Sequence, residues 1–134
     1  MNVLFLCKSN VTRSQIAEAF FNKYSKIDNA ESSAIIKPQE KMHRLVVRAM
    51  NEKGIDISKN ISKKVTKKMI NEADIIILMN PDLKNLIKIN KKVKIWNIPD
   101  VISREEDEHI YSEFVKIREM IEEKVKELLI RISR

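Results

Sequence analysis

The sequence lacks the residues that stabilise many small domains covalently or through metals. Its 134 residues include one cysteine, so no internal disulfide can form, and a cysteine-based zinc site has too few ligands. The two histidines, His43 and His109, are far apart in sequence and are predicted to be surface or packing residues. No metal and no cofactor is therefore expected, and an apolar core must stabilise the fold.

Long apolar runs are also missing. No run approaches the roughly 18–20 residues that cross a membrane. The apolar start, residues 3–6, has neither the basic flank nor the cleavage site of a signal peptide. Hydrophobic residues still make up 43% of the chain, which excludes simple disorder. We therefore expect one domain over residues 1–134, in the cytoplasm and without a membrane span.

Positive charge is in excess but unevenly distributed. The formal net charge is +7, and most of the basic side chains lie in residues 35–94. Such a region can bind a polyanion, but specific phosphate and base contacts favour arginine, and most of these side chains are lysines. No aromatic residues are interleaved with them for stacking on bases. We therefore expect a solvated surface, and nucleic acid is not the expected partner.

The apolar residues alternate between unbroken runs and helical spacing. Strands are predicted at residues 3–6, 30–36, 75–79 and 93–98. Longer helices are predicted at residues 16–24, at 42–50 with an end near Gly54, and at 110–132 after a capping box at Ser103 and Glu106. Two shorter helices are predicted, one after a cap at Ser62 and one after Asn80 and Pro81. This alternation predicts an α/β fold, a four-stranded parallel sheet flanked by helices on both faces.

The motif with the clearest chemistry runs from Cys7 to Ser14, between the first strand and the first helix. A loop in this position presents backbone N–H groups and the positive end of a helix dipole, which bind an oxyanion and favour a thiolate. Arg13 can hold two anion oxygens with its planar guanidinium, and Ser14 can donate a hydrogen bond to the thiolate. C-x5-R-S thus combines a nucleophile with an anion site. The alternative is a buried structural cysteine beside a helix-capping loop.

Further segments accompany this motif along nearly the whole chain. They are residues 3–7, Asn10, Arg13-Ser14, 16–20, 33–34, 52–58, 73–79 and 98–100. In these segments the sequence resembles the low-molecular-weight protein tyrosine phosphatases and the thioredoxin-linked arsenate reductases that share their fold.

The resemblance implies a role for each residue of the site. Cys7 would be the nucleophile, Arg13 the phosphate ligand and Asp100 the general acid, which protonates the leaving group and then deprotonates water. The phosphate-binding loop would be Lys8, Ser9, Asn10, Val11, Thr12, Arg13 and Ser14, braced by Asn10 in a left-handed conformation together with Ser14, Ser33 and Asn60. Taken alone, Asp100 is a turn residue after proline, and Glu105 and Asp107 are the reserve candidates for the acid.

Several positions depart from the family pattern. Ser9 replaces a glycine, Thr12 replaces a second loop cysteine, and Asn60 replaces a histidine. Val101 follows the acid where a proline and an aromatic pair are usual, and residues 25–95 contain no aromatic side chain from Phe, Trp or Tyr. Phosphoester hydrolysis is therefore the broader expectation, and a preference for phosphotyrosine is the narrower one.

Three functions remain open at this point. The first is a cysteine-dependent phosphomonoester hydrolase acting on phosphotyrosine proteins or small phosphomonoesters, with inorganic phosphate as the product ligand. The second is an arsenate reductase, which would need an external thiol because the chain has no further cysteine for an internal disulfide relay. The third is a non-catalytic phosphopeptide- or anion-binding module.

Overall fold

The computed structural model describes residues 1–39, 41–101 and 108–133, and its elements follow the predicted order. Strands β1 to β4 are Asn2–Cys7, Asn29–Ala34, Ile75–Leu78 and Val93–Ile95, and helices α1 to α4 are Arg13–Tyr24, Arg44–Asn51, Lys67–Glu72 and Glu108–Ile132. A 3₁₀ helix, Pro81–Asn85, lies between β3 and β4. The predicted capping box at Ser103 and Glu106 and the reserve acids Glu105 and Asp107 lie outside the described residues.

The four strands form one parallel sheet in the order β2-β1-β3-β4. Val3 to Cys7 of β1 are each at most 3% exposed, so both faces of this central strand are covered. Two adjacent serines of β2 show what covers its faces. The Ser32 hydroxyl contacts Glu18 of α1, and the Ser33 hydroxyl contacts Met69 of α3. Because neighbouring strand residues point to opposite faces, α1 and α3 lie on opposite sides. The predicted α/β fold is confirmed.

Helix α4 provides the longest apolar stripe of the core. The predicted spacing is confirmed, since Ile110, Phe114, Ile117, Ile121, Val125 and Leu128 are all buried. Two local predictions are also confirmed. The chain after α2 turns through Gly54 at a φ of 74°, and Asn80 caps the following turn by accepting a hydrogen bond from the Asp82 N–H.

Two helix predictions are wrong in detail. The cap of α3 is Thr66, whose side chain accepts from the Met69 N–H at 3.2 Å, and not Ser62. The Ser62 hydroxyl is used elsewhere, and the chain just before α3 is held extended by a parallel bridge between Lys64 and Ala34. The helix predicted after Pro81 is only a 3₁₀ segment, of which Leu83 is buried while Leu86 is 48% exposed. No described helix is both long and apolar enough to cross a membrane.

Candidate active site

The only thiol lies at the carboxyl end of β1, where the chain leaves the sheet. Cys7 is 3% exposed, and two groups of the following loop contact its sulfur. The Asn10 N–H donates to Sγ at 3.2 Å, and the Ser14 hydroxyl oxygen is 2.8 Å from Sγ. The sulfur is thus held at the end of the strand by the loop that follows it, in the position of a nucleophile.

Asn10 holds the loop in an unusual conformation. Its φ of 58° is left-handed, and it is the only residue other than glycine with a positive φ among the described residues. Its side chain is fully buried and uses both of its polar atoms. Nδ2 donates to the Ser14 hydroxyl at 2.8 Å and to the Ser32 hydroxyl at 2.9 Å, while Oδ1 accepts from the Lys63 N–H at 3.1 Å. The side chain therefore joins the loop to β2 and to the segment before α3.

The serine of β2 that braces the loop is Ser32, and not Ser33 as predicted. Both are buried, but Ser32 pairs with Phe5 in the parallel register and Ser33 pairs with Leu6, so they point to opposite faces. Ser33 contacts Met69 Sδ at 3.4 Å on the other side of the sheet.

Glu18 adds a carboxylate to the end of this network, and sequence reasoning missed it. Its Oε1 accepts a hydrogen bond from the Ser32 hydroxyl at 3.2 Å. Burial raises the pKa of Glu18, although the Ser32 hydrogen bond and the charge of Lys63 act in the opposite direction. The network behind Cys7 therefore ends in a carboxyl group whose ionised form is poorly solvated.

Residues 60–63 support the loop from outside. Asn60 does so indirectly, because its Nδ2 donates to Gln15 Oε1 at 3.1 Å and Gln15 in turn contacts Asn10. The Ser62 hydroxyl donates to the Ser9 carbonyl oxygen at 2.7 Å and accepts from the Gln39 N–H at 3.2 Å. No sequence signal identified Gln15 or Ser62 as part of the site, since their partners are distant in the chain.

Arg13 and Asp100 approach each other beside the loop. The Arg13 guanidinium is buried and donates to the Ile98 carbonyl oxygen at 3.0 Å, and its Nη2 lies 3.8 Å from Asp100 Oδ2. Asn80 donates to the same carbonyl at 3.1 Å. The Asp100 side chain remains 47% exposed, so it can reach a ligand or water in front of Arg13. The end of β4 thus brings a carboxylate to the same sheet edge as Cys7.

One pocket of about 450 Å³ brings together Cys7, Arg13 and Asp100. It is lined by Cys7, Lys8, Ser9, Asn10, Val11, Thr12, Arg13, Gln39, His43, Asp100, Val101 and Phe114. His43 is predicted to be a surface or packing residue; its ring packs 4.7 Å from that of Phe114 in the wall of this pocket, and its Nδ1 accepts from the Leu45 N–H at the start of α2. Although residues 25–95 contain no Phe, Trp or Tyr, α4 supplies a phenyl ring to the pocket, which sequence reasoning missed because Phe114 matches the core spacing of α4.

Ser14 does not line the pocket but lies behind it, against Cys7. Within residues 1–39, 41–101 and 108–133, no group of three or more His, Cys, Asp or Glu side chains is placed to hold a metal ion. The second histidine, His109, is exposed in α4. The arrangement is suited to an oxyanion held over a thiolate, with a carboxyl group near by to transfer a proton.

Comparisons with known proteins agree with this chemistry. A sequence model of the family described as low molecular weight phosphotyrosine protein phosphatase matches residues 2–134. An arsenate reductase of Halalkalibacterium halodurans is 30% identical over 128 residues, which cover 92% of this chain and 91% of the relative. The crystal structure of a low molecular weight protein tyrosine phosphatase from T. tengcongensis has a TM-score of 0.86 at 22% identity, with 98% and 99% of the two chains covered.

A second solved structure represents the other activity. The thioredoxin-dependent arsenate reductase of Corynebacterium glutamicum has a TM-score of 0.75 at 27% identity, and the match covers 99% of this chain and 63% of that one. The comparisons therefore agree on the family and on cysteine-based chemistry, and they include both phosphatases and arsenate reductases.

Proposed function

Because the chain belongs to the low molecular weight phosphotyrosine protein phosphatase family, we propose that it is a cysteine-dependent phosphomonoester hydrolase. The observation that carries the proposal is the pair of contacts to Cys7 Sγ, from the Asn10 N–H and the Ser14 hydroxyl, in a pocket that also contains Arg13 and Asp100. A structural cysteine needs neither a left-handed residue whose N–H donates to its sulfur nor a buried guanidinium in the same pocket.

The reaction would proceed in two displacements at phosphorus. In the first, the Cys7 thiolate attacks the phosphoryl group while Arg13 and the backbone N–H groups of the loop other than that of Asn10 bind the non-bridging oxygens. Asp100 gives its proton to the departing oxygen. In the second, Asp100 takes a proton from water, which attacks the phosphocysteine and releases inorganic phosphate. Ser14 stabilises the sulfur as the thiolate before and after the cycle.

The pocket walls favour a substrate with an apolar or aromatic leaving group. Val11 and Val101 provide apolar surface, and the partly exposed His43 ring, which packs against the buried Phe114 ring, adds an aromatic face. These surfaces support a phosphotyrosine side chain as substrate, in a protein or as a small ester. We expect the reaction in the cytoplasm, where a lone thiol stays reduced.

Turnover of p-nitrophenyl phosphate tests the proposal. The wild type should hydrolyse it in the presence of a metal chelator, Cys7→Ser should be inactive, and Asp100→Asn should lose about 10²- to 10⁴-fold in kcat. His109→Gln, an exposed change in α4, is the control and should behave as the wild type. Activity that survives Cys7→Ser, or a wild type that binds phosphopeptide without turnover, would contradict hydrolysis; the second result indicates a binding module.

Arsenate reduction is the second candidate, because a curated relative matching 92% of the chain is an arsenate reductase. Arsenate is a tetrahedral oxyanion, and the same loop can hold it over Cys7. With one cysteine in the chain, the protein cannot form the internal disulfide of a thiol relay, so an external thiol must complete each cycle. Arsenite formation that depends on added glutathione or thioredoxin, at a rate above p-nitrophenyl phosphate hydrolysis, would favour this function over the first.

A further inference from the structure

Gln15 is a buried amide that the reaction described above does not use. It lies in the first turn of α1 and is 2% exposed. Its Oε1 accepts from Asn60 Nδ2 at 3.1 Å. Its Nε2 is 3.2 Å from the Asn10 carbonyl oxygen, 3.2 Å from Asn10 Oδ1 and 3.3 Å from the Ile61 carbonyl oxygen. Since only Oε1 can accept the Asn60 hydrogen bond, Asn60 fixes the amide so that its N–H groups face Asn10.

The loop has a specific need for such an amide. An ordinary residue disfavours the left-handed conformation, and the single glycine of the chain is Gly54, outside the loop. At a φ of 58° the Asn10 N–H lies 3.2 Å from Cys7 Sγ. A change of Asn10 to negative φ would rotate its carbonyl group and the residues that follow it relative to Cys7, and it would move the Ser14 hydroxyl away from the sulfur. Gln15 contacts both the carbonyl oxygen and the side-chain oxygen of Asn10, so it restrains the peptide group after Cα as well as the side chain.

We propose that Gln15 is a positioning residue: oriented by Asn60, it holds Asn10 in the left-handed conformation that places the following residues, and the Ser14 hydroxyl among them, around the sulfur of Cys7. The inference deepens the proposed hydrolase function and rests on it for its kinetic readout only. Gln15 does not line the pocket, so it acts through Asn10 and not on the substrate.

Gln15→Met tests the proposal, because methionine has a similar length and no amide. The rate of Cys7 alkylation by iodoacetamide is measured against pH, with and without inorganic phosphate as a protecting anion. The variant should need a higher pH for half-maximal alkylation, and phosphate should protect it less well. Its kcat/KM for p-nitrophenyl phosphate should fall about 10- to 100-fold. If the alkylation and phosphate-protection profiles of Gln15→Met are the same as those of the wild type, the proposal is overturned, whatever the thermal stability of the variant.

Two further variants make the result decisive. Asn22→Leu removes an amide of the same helix that bonds the backbone of Ala30, far from the loop, and should leave the alkylation profile unchanged. Asn60→Ala should shift the profile in the same direction as Gln15→Met but less, and the double variant should be no worse than Gln15→Met, because both act through one amide. Asn60→Ala decides the matter if Gln15→Met does not fold; an unchanged profile there overturns the proposal.

The alkylation readout is independent of turnover. If the wild type hydrolyses no phosphoester but the Gln15→Met profile shifts as expected, the proposed function fails and the positioning role stands. If the wild type is active, and Gln15→Met has the same alkylation profile and the same kcat/KM as the wild type, the positioning role fails and the proposed hydrolase function stands.

Discussion

Two polar regions of the molecule are built in different ways. The phosphate loop, residues 7–14, is held mainly by hydrogen bonds between neutral groups, with the Glu18 carboxyl group at the end of the network and the Arg13–Asp100 contact at its edge. The α4 ion-pair cluster, which joins α4 to α1 and to the end of α2, consists of Tyr24, Glu52, Lys53, Tyr111, Arg118, Glu119 and Glu122. In it Arg118 lies 3.0 Å from Glu52 and Lys53 lies 3.0 Å from Glu122.

The charges in the α4 cluster shift the titration of their neighbours. The hydrogen bond to Glu122 raises the pKa of Tyr24 to about 12. Burial acts to raise the pKa of Glu122 itself, but the hydrogen bonds from Tyr24 and Lys53 outweigh it and the pKa is lowered. Ion pairs are tolerant of small displacements, whereas neutral hydrogen bonds depend strongly on angle. We infer that the cluster contributes stability and that the loop network contributes the geometry needed for catalysis.

Among the changes that compare the two supporting networks, Asn10→Ala should have the largest effect, and the effect is on activity. Alanine loses the side-chain contacts to Ser14, Ser32 and Lys63 and is disfavoured at a φ of 58°. We expect kcat/KM for p-nitrophenyl phosphate to fall about 100-fold. Asn10→Gly is the matched control, because glycine accepts the backbone conformation but has no side chain. If Asn10→Gly is as active as the wild type, the side-chain network is not needed.

Arg118→Met, in the α4 cluster, should lower the stability of the fold and leave the activity unchanged. The Arg118 side chain is 9% exposed and also donates to the Ala49 carbonyl oxygen at 2.8 Å. Its carboxylate partners, Glu52 and Glu119, are about half exposed and regain water, so we expect a loss of about 1–3 kcal/mol in the free energy of unfolding. Denaturant titration measures this loss. Lys116→Met, in an exposed pair with Glu113, is the control and should change the free energy of unfolding by less than about 0.5 kcal/mol.

A fall in kcat/KM of Arg118→Met, measured where the variant is fully folded, would contradict the separation of the two regions.

Ser62→Ala should have a smaller effect on activity than Asn10→Ala. It removes the hydrogen bond to the Ser9 carbonyl oxygen from a loop that keeps its other supports, and it also removes the one from the Gln39 N–H, which lies outside the loop. A loss of about 1 kcal/mol in transition-state stabilisation corresponds to roughly a 5-fold fall in kcat/KM. Ser112→Ala, which removes a hydroxyl bonded within α4, should leave kcat/KM unchanged. Equal values for the two variants would place Ser62 outside the loop network.

Glu18→Gln should give the smallest effect, a gain in stability. Burial raises the pKa of Glu18 above its ordinary value of 4.5, so the folded state binds its proton more tightly than the unfolded state does. Stability therefore falls as pH rises from about 4.5 through the raised pKa of Glu18, so the cost is larger at pH 7 than at pH 4. Glutamine removes that cost and keeps an oxygen for Ser32.

Thermal unfolding measures this difference. Glu18→Gln should melt a few degrees above the wild type at pH 7 and close to it at pH 4, whereas Glu31→Gln, an exposed change in β2, should not differ at either pH. A lower melting temperature for Glu18→Gln at pH 7 would show that the ionised carboxylate stabilises the network.

The sequence by itself determined the order of the elements and several of their ends, though not the cap of α3 or the short 3₁₀ form of the segment after Asn80. Periodicity and capping depend on residues within a few positions of one another, so α4, Gly54 and Asn80 with Pro81 could be predicted. The spacing of Cys7, Arg13 and Ser14 also pointed to the anion-binding loop, because these residues lie within eight positions of one another and their arrangement depends mainly on the local chain.

Only the tertiary structure decided the partners of these groups. The choice between Ser32 and Ser33 depends on strand register, since a shift of one residue exchanges the faces of the sheet. The role of Ser62 followed from the approach of residues 60–63 to the loop, and the Phe114 wall followed from the packing of α4 across the pocket. Hydrogen-bond partners far apart in sequence are set by packing, and no local pattern encodes them.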